Sequence, residues 1–240
     1  MNLQTIVDRI GEGLTVIDAL DTGGRSNRRT GEPYLKGLKT MSEHEVTTGL
    51  VKWWPKAHPE DLEGRLEVVS ETPYPNSPRD RCDIFVREIK SGKPVWAIEV
   101  KHIALVGDNG KNNDFGVTKM LSPYLKDRSL RHDVLRLRDS GFGCNSASVV
   151  YSFSYSPQSA MEALRRYPMH SDRIRNMEKV RASAQDERGM YSIGPMVKMA
   201  THMLKTEGLV GDTAETEFSG AWAHPCGGTG TVAAWQVISG

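Results

Sequence analysis

The sequence predicts an α/β domain, a mixed β-sheet flanked by helices. From residue 42 onward the hydrophobic pattern runs helix, three strands, helix, strand, helix, an order that places helices and sheet around one shared core. Two of the strand segments, 82–89 (CDIFVREI) and 95–103 (VWAIEVKHI), are joined by the short turn Ser91-Gly92-Lys93-Pro94, which predicts an antiparallel hairpin. The chain has 240 residues, 38% of them hydrophobic and 25% charged, enough apolar material for a core without disulfides or structural metals.

Taken in order, Leu3, Ile6, Val7, Ile10, Leu14 and Ile17 recur at helical spacing and predict an amphipathic helix over 3–20. The segment 21–39, rich in Gly, Arg, Asn and Thr, reads as a mobile loop. Ser42 followed by Glu45 has the capping-box pattern, so a second helix should start at Ser42 and end near Trp54, before Pro55. Strands follow at 66–70, 82–89 and 95–103. The polar loop 107–113 leads to helical material over 114–139, interrupted at Ser122-Pro123 and stopped by Ser140-Gly141-Phe142-Gly143. Segment 147–155 (ASVVYSFSY) alternates as a strand. Ser156-Pro157 opens a helix over 158–167, with further helices at 171–186 and 195–206 and a final strand at 231–238.

No apolar run reaches the length of a membrane span, and the first residues lack the basic start and apolar stretch of a signal peptide, so a cytoplasmic protein is expected. Cys82, Cys144 and Cys226 are scattered and form no C-x-x-C pair, which argues against a disulfide framework and against a cysteine-based zinc site. His224 and Cys226 have no second pair at suitable spacing and read as a turn. The net charge is only +1, but residues 119–181 carry twelve Lys/Arg against six Asp/Glu, and residues 25–39 carry five against one. Such local basic surfaces suit phosphates, and solvated helix faces give the same pattern.

Segment 95–103 carries the chemistry. Val95, Ala97, Glu99 and Lys101 share one face, and Trp96, Ile98 and Val100 the other. A covered strand is ordinarily apolar on both faces, so a carboxylate and an ammonium two residues apart need a salt bridge, water or a metal. A turn centred at 91–92 places Asp83 opposite Glu99 to Lys101. Two acids beside one lysine meet the needs of a hard divalent cation and an attacking water. Mg²⁺ accepts one or two carboxylates and keeps several waters, while the lysine positions or deprotonates the nucleophile. An ordinary cross-strand ion pair is the alternative reading of the same trio.

Asp83, then Glu99-Val100-Lys101 after fifteen intervening residues, resembles the D…(D/E)-x-K signature of the PD-(D/E)XK nuclease superfamily, the restriction-endonuclease-like proteins. The family's core of helix, three-strand meander, helix and strand is similar to the order over residues 42–165. Cys82 stands where the family often has proline. The resemblance implies a restriction-endonuclease-like fold in a single nuclease domain. Residues 1–41 would form an N-terminal helix and basic loop, 42–165 the catalytic core, and 166–240 a mainly helical elaboration for specificity or dimerisation. It further implies a Mg²⁺-dependent endonuclease, with Mn²⁺ able to substitute, that hydrolyses double-stranded DNA to 5′-phosphate and 3′-hydroxyl ends as a restriction or defence enzyme. Asp83, Glu99 and the Val100 carbonyl would bind the metal, and Lys101 would serve the water. A homodimer would let two sites cut both strands. A non-catalytic nucleic-acid-binding module on the same fold is the rival reading.

Family members often add a glutamate from the helix before the meander, and both Glu43 and Glu45 compete for that role. Taking 100° per residue, Glu43 lies about 30° from the centre of the apolar stripe Val46, Leu50, Trp53, Trp54, and Glu45 far from it. Glu45 also has a capping task, so Glu43 is the expected assistant. His102 faces away from Lys101 and is expected to pack. DNA contacts are expected from Arg25, Arg28 and Arg29 as an arm, Lys111 on the polar loop, and Lys119, Lys126, Arg128 and Arg131 on the following helical region. Arg165, Arg166, Arg173 and Arg175 are further phosphate candidates.

Overall fold

The computed structural model describes residues 1–26, 31, 33–106, 116–124, 128–165, 182–223 and 227–240. Helix α1 (Leu3–Leu20) and helix α2 (Glu43–Ala57) are followed by strands β1 (Leu66–Tyr74), β2 (Ser77–Glu88) and β3 (Pro94–His102). Helices α3 (Gly116–Leu121) and α4 (Leu130–Arg138) then lead to β4 (Asn145–Phe153) and α5 (Pro157–Arg165). Helix α6 (Gly194–Thr206), β5 (Val210–Phe218) and β6 (Gly230–Val237) complete the described elements. The six strands form one mixed sheet in the order β1-β2-β3-β4-β6-β5, with only the β3–β4 pair parallel.

The first two helices start for local reasons. Asn2 caps α1 by accepting the Thr5 amide. Ser42 and Glu45 form a reciprocal capping box on α2, and that helix runs through Pro55, three residues further than its sequence suggests. A proline so close to the C-terminus removes only one ladder bond, which the last turn tolerates. The buried stripe of α1, including Ile6, Ile10 and Leu14, packs on α2 and on the sheet: a Cβ added at Gly13 would strike Leu50 and Trp53, and one at Gly11 would strike Thr216 of β5. The opposite sheet face carries α4 and α6, the latter tied down where Trp235 Nε1 donates to Thr201 Oγ1 at 2.7 Å.

Three expectations need correction. The tail beyond residue 166 is not mainly helical in its described part, because β5 and β6 join the central sheet there. β5 went unread because only Val210, Ala214 and Phe218 of its nine residues are buried, four positions apart rather than two. β2 begins at Ser77, five residues early, despite Pro78. Segment 21–39 is held rather than mobile in its described part. Buried Asp18 accepts the amides of Leu38 and Ala223, both at 2.9 Å, and Ser26 bridges Pro33. Of the helix expected over 171–186, residues 182–186 are described: 182–184 are helical and Gln185 already bridges Tyr191.

Among the described residues no helix is long and apolar enough to cross a membrane.

Candidate active site

The β2–β3 ladder runs from Arg87↔Pro94 to Ile84↔Ile98 and then stops, while β2 stays paired with β1 through Thr72↔Cys82 and Pro73↔Arg81. The β1–β2 ribbon thus peels away from β3 and opens a fork. Even-numbered residues of β3 point their amides toward β2, so the fork exposes those of Val100 and His102. Carboxylates take them. Asp83 Oδ2 accepts Val100 N–H at 2.8 Å, and Glu43 Oε1 accepts His102 N–H at 3.2 Å. In a strand the carbonyl of a residue points to the same side as its amide, so Val100 C=O faces the fork as well.

Glu99 and Lys101 lie on the face covered by α4. Lys101 Nζ is 3.0 Å from Asp133 Oδ2, and Glu99 Oε2 is 2.7 Å from the Arg136 guanidinium. The second Glu99 oxygen accepts the Tyr74 hydroxyl. Tyr74 reaches that face because β1 shifts register between Pro73 and Tyr74, and its ring packs on Phe142 at 5.0 Å. Glu99, Lys101, Asp133 and Arg136, with Glu43, Asp83 and Val100, line a cavity of about 380 Å³ together with Glu71, Asp80, Arg81, Arg128 and His132. Glu71 holds φ at 56°, in the left-handed region that a non-glycine residue adopts at a cost of about 1 kcal/mol or more.

The electrostatics follow from crowding. Six carboxylates line the cavity against four Lys/Arg side chains. Burial pushes the Asp83 carboxyl up to about 6, with the Val100 amide and Glu99 offsetting part of that rise. Glu99 is driven upward by burial and by the charges of Asp83 and Asp133, against the pull of Arg136 and Tyr74. Burial works to lower Lys101, but Asp133 and Glu43 more than reverse it and keep the ammonium charged.

The structure therefore gathers Asp83, Glu99, Val100, Lys101 and Glu43 around one cavity. Glu45 stays in the capping box, with Arg25 3.6 Å away. His102 stacks on Tyr151 at 4.8 Å, facing away from the cavity. Lys119 stands 4.0 Å from Glu43 beside the site, and Arg128 lines it. Two expected DNA contacts are otherwise employed. Arg25 is bonded to Asp21 and Thr40, which ties it to both ends of the 21–40 segment. Arg131 is bonded to Glu207 at the end of α6 and to the Pro123 carbonyl. Arg28, Arg29, Lys111 and Lys126, with Arg166, Arg173 and Arg175, lie outside the described residues, and nothing is described of the Arg165 side chain.

Three participants were not anticipated: Tyr74, Asp133 and Arg136. Asp133 had left a signal, since at 100° per residue it lies about 70° from the centre of the stripe Leu130, Val134, Leu137, a core-facing place for a charge. Tyr74 and Arg136 left none.

The oxygens at the fork suit a hard divalent cation. Asp83, Glu99 and the Val100 carbonyl are the right donors, and Mg²⁺ needs no more than one or two carboxylates when water completes its shell. With every carboxylate ionised, the six acids exceed the four Lys/Arg side chains by the two charges that one such ion would bring. Among the described residues no three His, Cys, Asp or Glu side chains converge as a ready-made cage, so water would supply the larger share of the ligands.

No protein family, curated protein or solved structure matches the chain.

Proposed function

We propose that the protein is a divalent-metal-dependent nuclease of the PD-(D/E)XK kind, acting on DNA phosphodiesters. One observation carries the reading: Asp83 and Glu99 from the two arms of a hairpin, with Lys101 two residues on, open into one cavity at a fork in the sheet. A bound Mg²⁺ or Mn²⁺ would supply Lewis-acid neutralisation of the reacting phosphate. Asp83, Glu99 and the Val100 carbonyl would hold it, and Glu43 stands ready to orient a water. Lys101 acts as a fixed ammonium: Asp133 keeps it protonated, which favours positioning the nucleophile and the phosphate over abstracting a proton. A restriction or defence role, and a homodimer bringing two such sites to a duplex, belong to the same proposal.

The test is digestion of plasmid DNA, methylated and unmethylated, over a Mg²⁺ and Mn²⁺ titration, with RNA in parallel. Wild type should cut DNA, and Asp83→Ala and Lys101→Ala should each lose at least about a hundredfold in rate. Equal activity of wild type and both variants would remove the assignment.

A second reading has its own observation. Glu99 is already bonded by Tyr74 and Arg136, and Lys101 by Asp133, so protein groups alone satisfy these charges. A non-catalytic nucleic-acid-binding module follows from that. Salt-dependent DNA retention with no cutting at any cation concentration would select it.

A further inference from the structure

We infer that Arg136 is the resident cation of this site: it stands on the Glu99 oxygen that a divalent ion needs, so ion entry and release of Arg136 from Glu99 are a single exchange. The inference rests on the metal-dependent reading above.

Three features of the guanidinium support an exchange. First, it covers what is left of Glu99. One carboxylate oxygen accepts the Tyr74 hydroxyl and the other faces Arg136 at 2.7 Å, so a cation joining Glu99 on that second oxygen meets a positive charge already there. The neutral hydroxyl donor does not repel a cation nearby, whereas a guanidinium on the same oxygen does.

Second, Arg136 has somewhere to go. The same nitrogen lies 3.5 Å from Asp133 Oδ1, so a small rotation exchanges one carboxylate for the other while α4 stays in place. The guanidinium carbon rides over the Tyr74 ring, 5.2 Å from its centroid, a surface that tolerates sliding.

Third, Arg136 is incompletely hydrogen-bonded for so central a group. Its Nε is buried without a hydrogen-bond partner, unlike a structural arginine with its fork fully engaged. With Arg136 moved onto Asp133 and still in the cavity, an ion adds two charges to a lining of six carboxylates and four Lys/Arg side chains. Cation affinity is therefore set by the strength of the Arg136–Glu99 contact, and the guanidinium is delivered to the cavity when the ion is loaded.

The experiment is Mn²⁺ titration by calorimetry on the full chain without DNA, comparing wild type, Arg136→Gln and Arg128→Gln. Arg128 lines the same cavity and carries the same charge, but no contact with Glu99 is seen. Arg136→Gln should bind Mn²⁺ at least about tenfold more tightly than wild type, within the usual range of coupling between two linked sites. Arg128→Gln should gain less than half as much on a logarithmic scale. An equal gain in the two variants means general charge relief, and no gain or a loss in Arg136→Gln means no competition; each overturns the inference while leaving the metal site standing. Absence of Mn²⁺ binding in all three proteins removes the metal reading and the inference with it. Should Arg136→Gln fail to fold, the wild type still decides. Its Arg136 side-chain NMR signal, assigned by its loss in Arg136→Lys, should move on Mg²⁺ addition with the midpoint of a matching Mg²⁺ calorimetric titration, and an unmoved signal overturns the exchange.

Discussion

Lys101 Nζ stands 3.0 Å from Asp133 Oδ2, and both side chains are almost wholly enclosed, 11% and 5% exposed. One comes from the third strand and the other from the helix laid across it, so the contact joins the sheet to α4 at the site itself. A pair so enclosed behaves as a unit: removing one member strands the other charge in a medium that solvates it poorly.

Lys101→Met should therefore destabilise the fold as well as abolish activity. Asp133 keeps partial support from Arg136 at 3.5 Å, which places the loss near the low end for a broken buried pair, about 3 kcal/mol in urea unfolding. The double variant Lys101→Met/Asp133→Asn should recover a good part of it. Equal stability of the single and double variants would show that the pair is not coupled.

Asp83 gives the fold a specific pH dependence. Its carboxyl titrates at about 6 when folded and near 3.9 when unfolded, so between those values the folded state holds more protons. Stability from this group is then greatest at low pH, falls as pH rises from about 4 to about 6, and is level above. Because Asp83 opens onto the cavity, the decline should be about 2 kcal/mol. Urea midpoints measured across that range for wild type and Asp83→Asn should converge in the acid and separate above pH 6, with the variant the more stable.

Glu43 and Glu45, two residues apart, should fail in different ways. Glu45→Ala loses the carboxylate that returns to the Ser42 amide at 2.7 Å, which should cost about 1 kcal/mol in thermal unfolding and spare cleavage. Glu43→Gln keeps an acceptor for the His102 amide but loses the charge facing the cavity. Stability within about 0.5 kcal/mol of wild type is expected, together with at least a tenfold fall in cleavage rate.

The arginines divide the same way. Arg25→Ala should lower stability by about 1–2 kcal/mol by releasing Asp21 and Thr40, with DNA affinity unchanged. Arg128→Ala should weaken DNA binding and reduce the slope of log affinity against log salt by about one, with little effect on stability. Filter binding at several salt concentrations separates the two.

What could be read from residues alone were the features set by near neighbours: the period of α1, the box at Ser42, and the hairpin whose register brings Asp83 level with Glu99. The polar edge strand β5 escaped because Gly211, Asp212, Glu215 and Glu217 dilute its alternation, and its pairing with β6 is a property of the assembled sheet. Tyr74 and Arg136 escaped for a different reason. The register shift that turns Tyr74 toward Glu99, and the seating of α4 over β3, arise only when distant segments meet. The ion pairs of Arg25 with Asp21 and of Arg131 with Glu207 were not legible because a positive charge in a sequence does not name its partner.

The candidate chemistry depends on an unfinished zipper. Had β2 gone on pairing beyond Ile84, a main-chain carbonyl would fill the place where Asp83 now meets Val100, and the sheet would be tighter and inert. Selection for heat resistance in this hairpin should accordingly favour changes that close the gap. The variants that survive boiling best would be the ones that have lost the fork, and with it the site proposed for the metal.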